Sequence, residues 1–193
     1  MSGLRERKKQ ATREALSWAA LRLAVERGLD NVLVEDIAAE AGVSPRTFNN
    51  YFSSKYEAIS SRATDRIFRA GQVLLDRPAD EPLWDAITAA VLEVHAEAAT
   101  LPTPEWLAGL RPVLSSPAMA GELLKTYVKM QKGLAAAIAD RLGDGDHGMY
   151  PEIVAAAVAA AAQVASDHWL RADPPVPMLG LLETALKQLR GMQ

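Results

Sequence analysis

Residues 34–56 read VEDIAAEAGVSPRTFNNYFSSKY, and the fold is decided here. The form is helix, glycine turn, short helix. From Glu35 to Ala41 the apolar positions Ile37, Ala38 and Ala41 share one helical side. Gly42 stands where a helix must end in the left-handed region, which glycine enters without steric cost. Val43 plugs the turn. Ser44 is a good N-cap and Pro45 a good first helical residue. Over 45–52, Phe48 and Phe52 at i and i+4 form one apolar side. Pro45, Arg46, Thr47, Asn49, Asn50 and Tyr51 make up the remainder. A short helix held by two phenylalanines and otherwise offering donors and acceptors suits the DNA major groove. An ordinary αα-corner with a polar outer side has the same pattern.

The flanks extend the pattern. Thr12 to Arg27 is amphipathic, with Leu16, Ala19, Ala20, Leu23 and Ala24 on one stripe and Gly28 after it. Thr12 is placed as the N-cap of this first helix. Downstream, Ser54 and Glu57 have the spacing of a capping box that opens a fourth helix. Over residues 10–60 the chain resembles the N-terminal domain of the TetR family of bacterial transcription regulators. The resemblance lies in the ERG turn after the first helix, the DIA..AGVS run, the Thr-Phe pair and YF.SK before the fourth helix. A weaker likeness of 111–170 is to C-terminal domains of the mycofactocin-regulator type in the same family.

The resemblance implies an all-α fold of about nine helices working as a homodimer. It divides the chain into a DNA-binding domain at 1–55 and an effector-binding and dimerisation domain at 56–193. It places Pro45, Arg46, Thr47, Asn49, Asn50 and Tyr51 on DNA. Arg46 is suited to a bidentate contact with guanine, and Asn49 or Asn50 to one with adenine. Tyr51 and Lys55 are expected on phosphates, which position without specifying. Thr12 and Arg13 are expected at a phosphate near the first helix. Arg5, Arg7, Lys8 and Lys9 either lie along the DNA backbone or enter the minor groove as a flexible arm. One departure stands out. Many relatives begin helix two with a phosphate-binding Thr or Ser, where this chain has Val32-Leu33-Val34. A phosphate contact there must come from a backbone amide or be absent.

Composition fits a soluble globular protein: 193 residues, 49% hydrophobic, 23% charged, no cysteine. Disulfides, thiolate zinc sites and cysteine nucleophiles are excluded together, and a reducing, cytoplasmic setting is expected. MSGLRERKKQ leads into no apolar stretch, so no signal peptide is expected. The run IVAAAVAAAAQVA at 153–165 is too short to span a membrane. Charge is uneven: residues 1–70 carry 12 Lys/Arg against 9 Asp/Glu, net +3, and residues 71–193 carry 9 against 15, net −6. A basic front and an acidic rear fit a protein that touches phosphates only with its N-terminal part.

Beyond residue 56 every long segment has a helical period. Expected helices run from Tyr56 to Leu75, through Leu83, Ile87, Val91, Val94 and Ala98, and briefly around Trp106 up to a limit at Pro112. The break between the last two is expected near Leu101-Pro102-Thr103-Pro104. Others run from Pro117 to about Leu142, from Tyr150 to about Arg171, and from Met178 to Leu189, with GDGDHG at 143–148 a loop. An apolar cavity bordered by Trp106, His95, Tyr127 and Met130 is expected to take a small, apolar or amphipathic effector; the plainer reading is that these residues are core. The alanine face of 151–171 and the leucine stripe 179, 182, 186, 189 suggest a dimer interface through Val158, Ala162, Ala165, Trp169, Leu182 and Leu186; burial inside one subunit is the alternative. A calcium loop starting at Asp144 fails because its twelfth position is Ala155. No cofactor is implied, and no P-loop, H-E-x-x-H or G-x-S-x-G pattern appears. The rivals to a ligand-released repressor are an all-α enzyme and a helical adaptor that binds protein, neither of which binds DNA.

Overall fold

The structure, a computed structural model, describes residues 2–96 and 103–191, with side chains from Leu4 onward. Ala98, Leu101 and Pro102 lie outside the described residues. Within them the protein is all-α: α1 Ser2–Arg27, a 3-10 turn Leu29–Asn31, α2 Val34–Glu40, α3 Pro45–Tyr51, α4 Lys55–Asp76, α5 Leu83–Ala96, α6 Pro104–Leu114, α7 Pro117–Leu142, α8 Tyr150–Arg171 and α9 Met178–Arg190. Two expectations shift. Pro112 lies inside α6 rather than limiting it. Its missing N–H removes a bond to Ala108, and the helix closes two residues later. α1 begins at Ser2, so Thr12 is an interior residue and not an N-cap. Its hydroxyl donates back to the Lys8 carbonyl at 2.9 Å, a common use of threonine inside a helix.

The chain forms two compact units that do not follow a division at 55/56. The first is Met1–Ala63 with Glu105–Leu124; the second is Thr64–Pro104 with Lys125–Gln193. The core of the first unit joins Leu16, Ala20 and Leu23 of α1 to Ile37, Phe48, Phe52, Ile59, Val113 and Met119. Burying apolar side chains of this size stabilises by about 1.5–3 kcal/mol each. A buried hydroxyl cluster ties α1 to α4: Ser17 donates to the Ala58 carbonyl at 2.7 Å, and Ser61 reaches the same carbonyl and Ser17. α1 and α6 meet so closely at Gly109 that a Cβ there would stand 2.6 Å from the Val25 carbonyl oxygen.

In the second unit, Leu74, Ile87, Val91, Leu134, Ile138, Val154, Val158, Leu182 and Leu186 share one core. α9 packs on α8 and α5. The Arg141 guanidinium closes the C-terminal end of α4, donating to the carbonyls of Leu74 (2.9 Å), Arg77 (3.1 Å), Pro78 (2.6 Å) and Glu81 (3.2 Å). Arg77 is held alongside by a two-pronged bridge to Glu81 at 2.5 and 2.6 Å.

α8, with 22 residues, is long and apolar enough to cross a membrane by length and composition, although the run 153–165 taken alone is not. In its most apolar 18-residue window 28% is buried, and Ile153 and Val164 are among its apolar residues left exposed.

Candidate nucleic-acid interface

The α2–α3 corner is built as its sequence requires. α2 is preceded by its N-cap Leu33, whose N–H donates to the Asp36 carboxylate at 3.1 Å. This engages one of the backbone amides that stood as candidates for phosphate at Val32-Leu33-Val34. The helix ends in a Schellman turn: Val43 N–H donates to Ala38 and Gly42 N–H to Ala39, with Gly42 at φ 68°. Ser44 caps α3, accepting from the Thr47 amide at 3.1 Å, and its hydroxyl also bonds the Thr47 hydroxyl at 2.9 Å. Thr47 therefore serves the cap and is half-buried, while Pro45, Arg46, Asn49 and Asn50 are exposed. Phe48 and Phe52 are buried with ring centroids 5.7 Å apart, and Phe52 is the C-cap rather than the last helical residue. The outer side of α3 is thus fixed from beneath, and its exposed groups have the chemistry for base-edge contacts.

Two residues expected at phosphates also make contacts within the unit. The Lys55 ammonium donates to the carbonyls of Leu29 (2.7 Å) and Val32 (2.9 Å), the two ends of the 3-10 turn. It holds the approach to α2 from within, using two of the three donors of the ammonium. The Arg13 guanidinium stands 4.6 Å from the Phe52 ring centroid, a cation–π arrangement that fixes it beside the end of α3. At the fourth helix, Ser54 accepts from the Glu57 amide at 3.1 Å. Glu57 reaches back to the amide and hydroxyl of Ser53, at 2.8 and 2.7 Å.

Sequence reasoning did not foresee a groove of about 640 Å³ lined by Glu6, Arg7, Lys9, Gln10 and Arg13 of α1 together with Asn50 and Tyr51 of α3. The signal was the spacing of 6, 10 and 13, one helical face, but nothing in the sequence said that this face meets α3.

The expected ligand residues do not all belong to one unit. His95, Tyr127 and Met130 belong to the second unit, whereas Trp106 belongs to the first. The His95 ring donates from Nδ1 to the Val91 carbonyl at 2.7 Å. Burial, seconded by the Arg66 cation, pushes this imidazole down to about 4, against the pull of that hydrogen bond. The Tyr127 hydroxyl donates to the Ala159 carbonyl, tying α7 to α8, and burial followed by the Asp167 carboxylate raises its pKa. Met130 packs against the second core.

The expected dimer residues are mostly interior. Val158, Ala165, Leu182 and Leu186 are buried in the protomer's own core, so they do not reach a partner; Ala162 and Trp169 are half-buried. α8 presents instead Ile153 (59% exposed), Ala160 and Val164 (54% exposed), with Ala157 half-buried between them. Their 3–4 spacing makes one outer stripe.

Residues 18–59 match the profile described as bacterial regulatory proteins, tetR family, and residues 81–192 that of the MftR C-terminal domain. The chain is 35% identical to the HTH-type transcriptional regulator TcmR of Streptomyces glaucescens over 198 residues, covering 97% of this chain and 87% of that protein. It is 26% identical to MftR of Mycobacterium tuberculosis, covering 86% and 83%. Among solved structures, SmeT, the repressor of the Stenotrophomonas maltophilia multidrug efflux pump SmeDEF, superposes with a TM-score of 0.58 at 19% identity over 93% of this chain and 89% of SmeT. A Syntrophomonas wolfei protein assigned to the TetR family gives 0.62 at 16% over 95% of each. The last two are likenesses of fold.

Proposed function

This chain belongs to the TetR family of bacterial transcriptional regulators and is a DNA-binding regulator; from that premise we propose that it is a cytoplasmic, effector-released repressor, not an enzyme, that binds an inverted-repeat operator as a homodimer. The observation that carries the proposal is α3, a short helix seated on buried Phe48 and Phe52 that exposes Arg46, Asn49 and Asn50. Two such helices, one per protomer, fit successive major grooves about 34 Å apart. The outer stripe of α8 through Ile153, Ala157, Ala160 and Val164 is the proposed dimer face, because it is apolar and uncovered.

The effector is proposed to bind in the second unit, in the region of His95, Tyr127 and Met130. A neutral His95 and a Tyr127 hydroxyl already bonded to Ala159 favour a largely apolar or amphipathic molecule over a highly charged one. Release follows if the effector binds better to a dimer whose α3 helices are wrongly spaced, and the coupling between effector and operator is reciprocal. The test is selection of bound duplexes from random DNA. An inverted repeat supports the proposal; the absence of any enriched sequence refutes it.

A further inference from the structure

α1 is helical from Ser2, and this bears on the basic N-terminus. Arg5, Arg7, Lys8 and Lys9 stand on a helix, not on an extended arm. An α-helix with its side chains is roughly 10–12 Å across, whereas the minor groove of B-DNA is about 6 Å wide. A helix of that width cannot enter the minor groove as a thin arm does. The groove beside α3 shows where the cations act instead. Its α1 wall carries Arg7, Lys9 and Arg13 against one carboxylate, Glu6, and its other wall carries Asn50 and Tyr51. Arg7 and Lys9 are exposed. Residues 6 to 13 span about 10 Å along the helix axis at roughly 1.5 Å per residue, and one DNA strand presents a phosphate about every 3.4 Å along its axis.

We infer that this groove seats the phosphodiester backbone of the DNA flanking the bases read by α3, so that the N-terminal helix lengthens the footprint without reading sequence. The inference rests on the DNA-binding reading of α3 and adds to it a second contact of different kind. Arg7 and Lys9 supply charge to phosphate oxygens, Asn50 and Tyr51 line the inner wall with polar groups, and Glu6 opposes the bound strand.

The test is the salt dependence of binding to an operator recovered by selection and to a mixed-sequence duplex, for the wild type, the double variant Arg7→Ala/Lys9→Ala, and Glu6→Gln. Each phosphate contact contributes about 0.9 to the slope of log affinity against log salt, so the double variant, which removes two contacts from each protomer of the dimer, should flatten the slope by about 3.6 on both duplexes. Its base preference in a repeated selection should match that of the wild type, flanking positions included. Glu6→Gln should bind both duplexes several-fold more tightly at low salt. A wild-type slope in the double variant, a flanking preference lost with Arg7 and Lys9, or weaker binding by Glu6→Gln would each overturn the inference. All three residues are exposed, and unchanged thermal unfolding confirms folding; should the double variant not fold, Glu6→Gln decides alone. Wild-type protein with no salt-dependent binding to any duplex would instead sink the DNA reading as a whole.

Discussion

The Lys55 ammonium donates to the Leu29 carbonyl at 2.7 Å, binding the start of α4 to the 3-10 turn that precedes α2. With the second bond to Val32, one cation holds the first residue of the turn and its C-cap. This lysine works for the DNA-binding unit from inside. Lys55→Ala is expected to lower the stability of that unit by about 1–3 kcal/mol, the usual loss when a charged hydrogen bond to backbone is removed. Chemical denaturation measures it. Binding to all duplexes should weaken together while the salt slope stays at the wild-type value. A flattened slope with unchanged stability would return Lys55 to the role of phosphate contact.

Arg141 is expected to be the most costly charged residue to replace in the second unit. It donates to four carbonyls around the end of α4. Arg141→Ala leaves them without that donor and should cost about 2–4 kcal/mol in urea unfolding. Arg141→Lys should recover less than half of this, because a point charge cannot reproduce the planar fork. Full recovery by lysine would show that charge alone matters.

Stability should fall with acid through His95. Its folded value, about 4, lies below the ordinary 6.5. The unfolded chain therefore takes up the proton first, and the stabilising preference for a neutral ring is complete above 6.5. It is lost as pH falls from 6.5 toward 4, by up to about 1.4 kcal/mol per pH unit. Other carboxylates titrate in the same range, so the measurement is the difference between wild type and His95→Gln in urea unfolding at several pH values. That difference should shift in favour of His95→Gln as pH drops. A constant difference would mean that His95 titrates normally.

The dimer is expected to depend on the outer stripe of α8. Ile153→Glu or Val164→Glu should shift sedimentation toward monomer with little change in helical content, because both side chains are already exposed in the protomer. Leu182→Glu should unfold the second unit, since it buries an unpaired charge. Dimers that persist in both α8 variants would place the interface elsewhere.

Local chemistry was legible where each residue answers to its neighbours in sequence. Gly42, Ser44, Pro45 and the Phe48–Phe52 pair all do in the structure what their spacing requires, and Ser116 caps α7 through the Met119 amide. What could not be read was which long-range partner each side chain finds. Thr12 looks like a cap until α1 is seen to begin ten residues earlier. Lys55 looks solvated until the turn 29–32 lies beneath it. α8 is alanine-rich almost all round, so its period does not distinguish the side that packs on α9 from the side left open. The groove between α1 and α3 depends on a tertiary contact that no periodicity reports.

The most direct measurement of the central claim is selection from random DNA by wild type, Arg46→Ala and Asn49→Ala, followed by affinity for the recovered operator. The wild type should recover an inverted repeat, and each variant should lose about 1–3 kcal/mol on it and relax preference at one position per half-site, with guanine affected by Arg46 and adenine by Asn49. Unaltered motif and affinity in both variants would contradict the account: α3 would not be the element that reads the DNA.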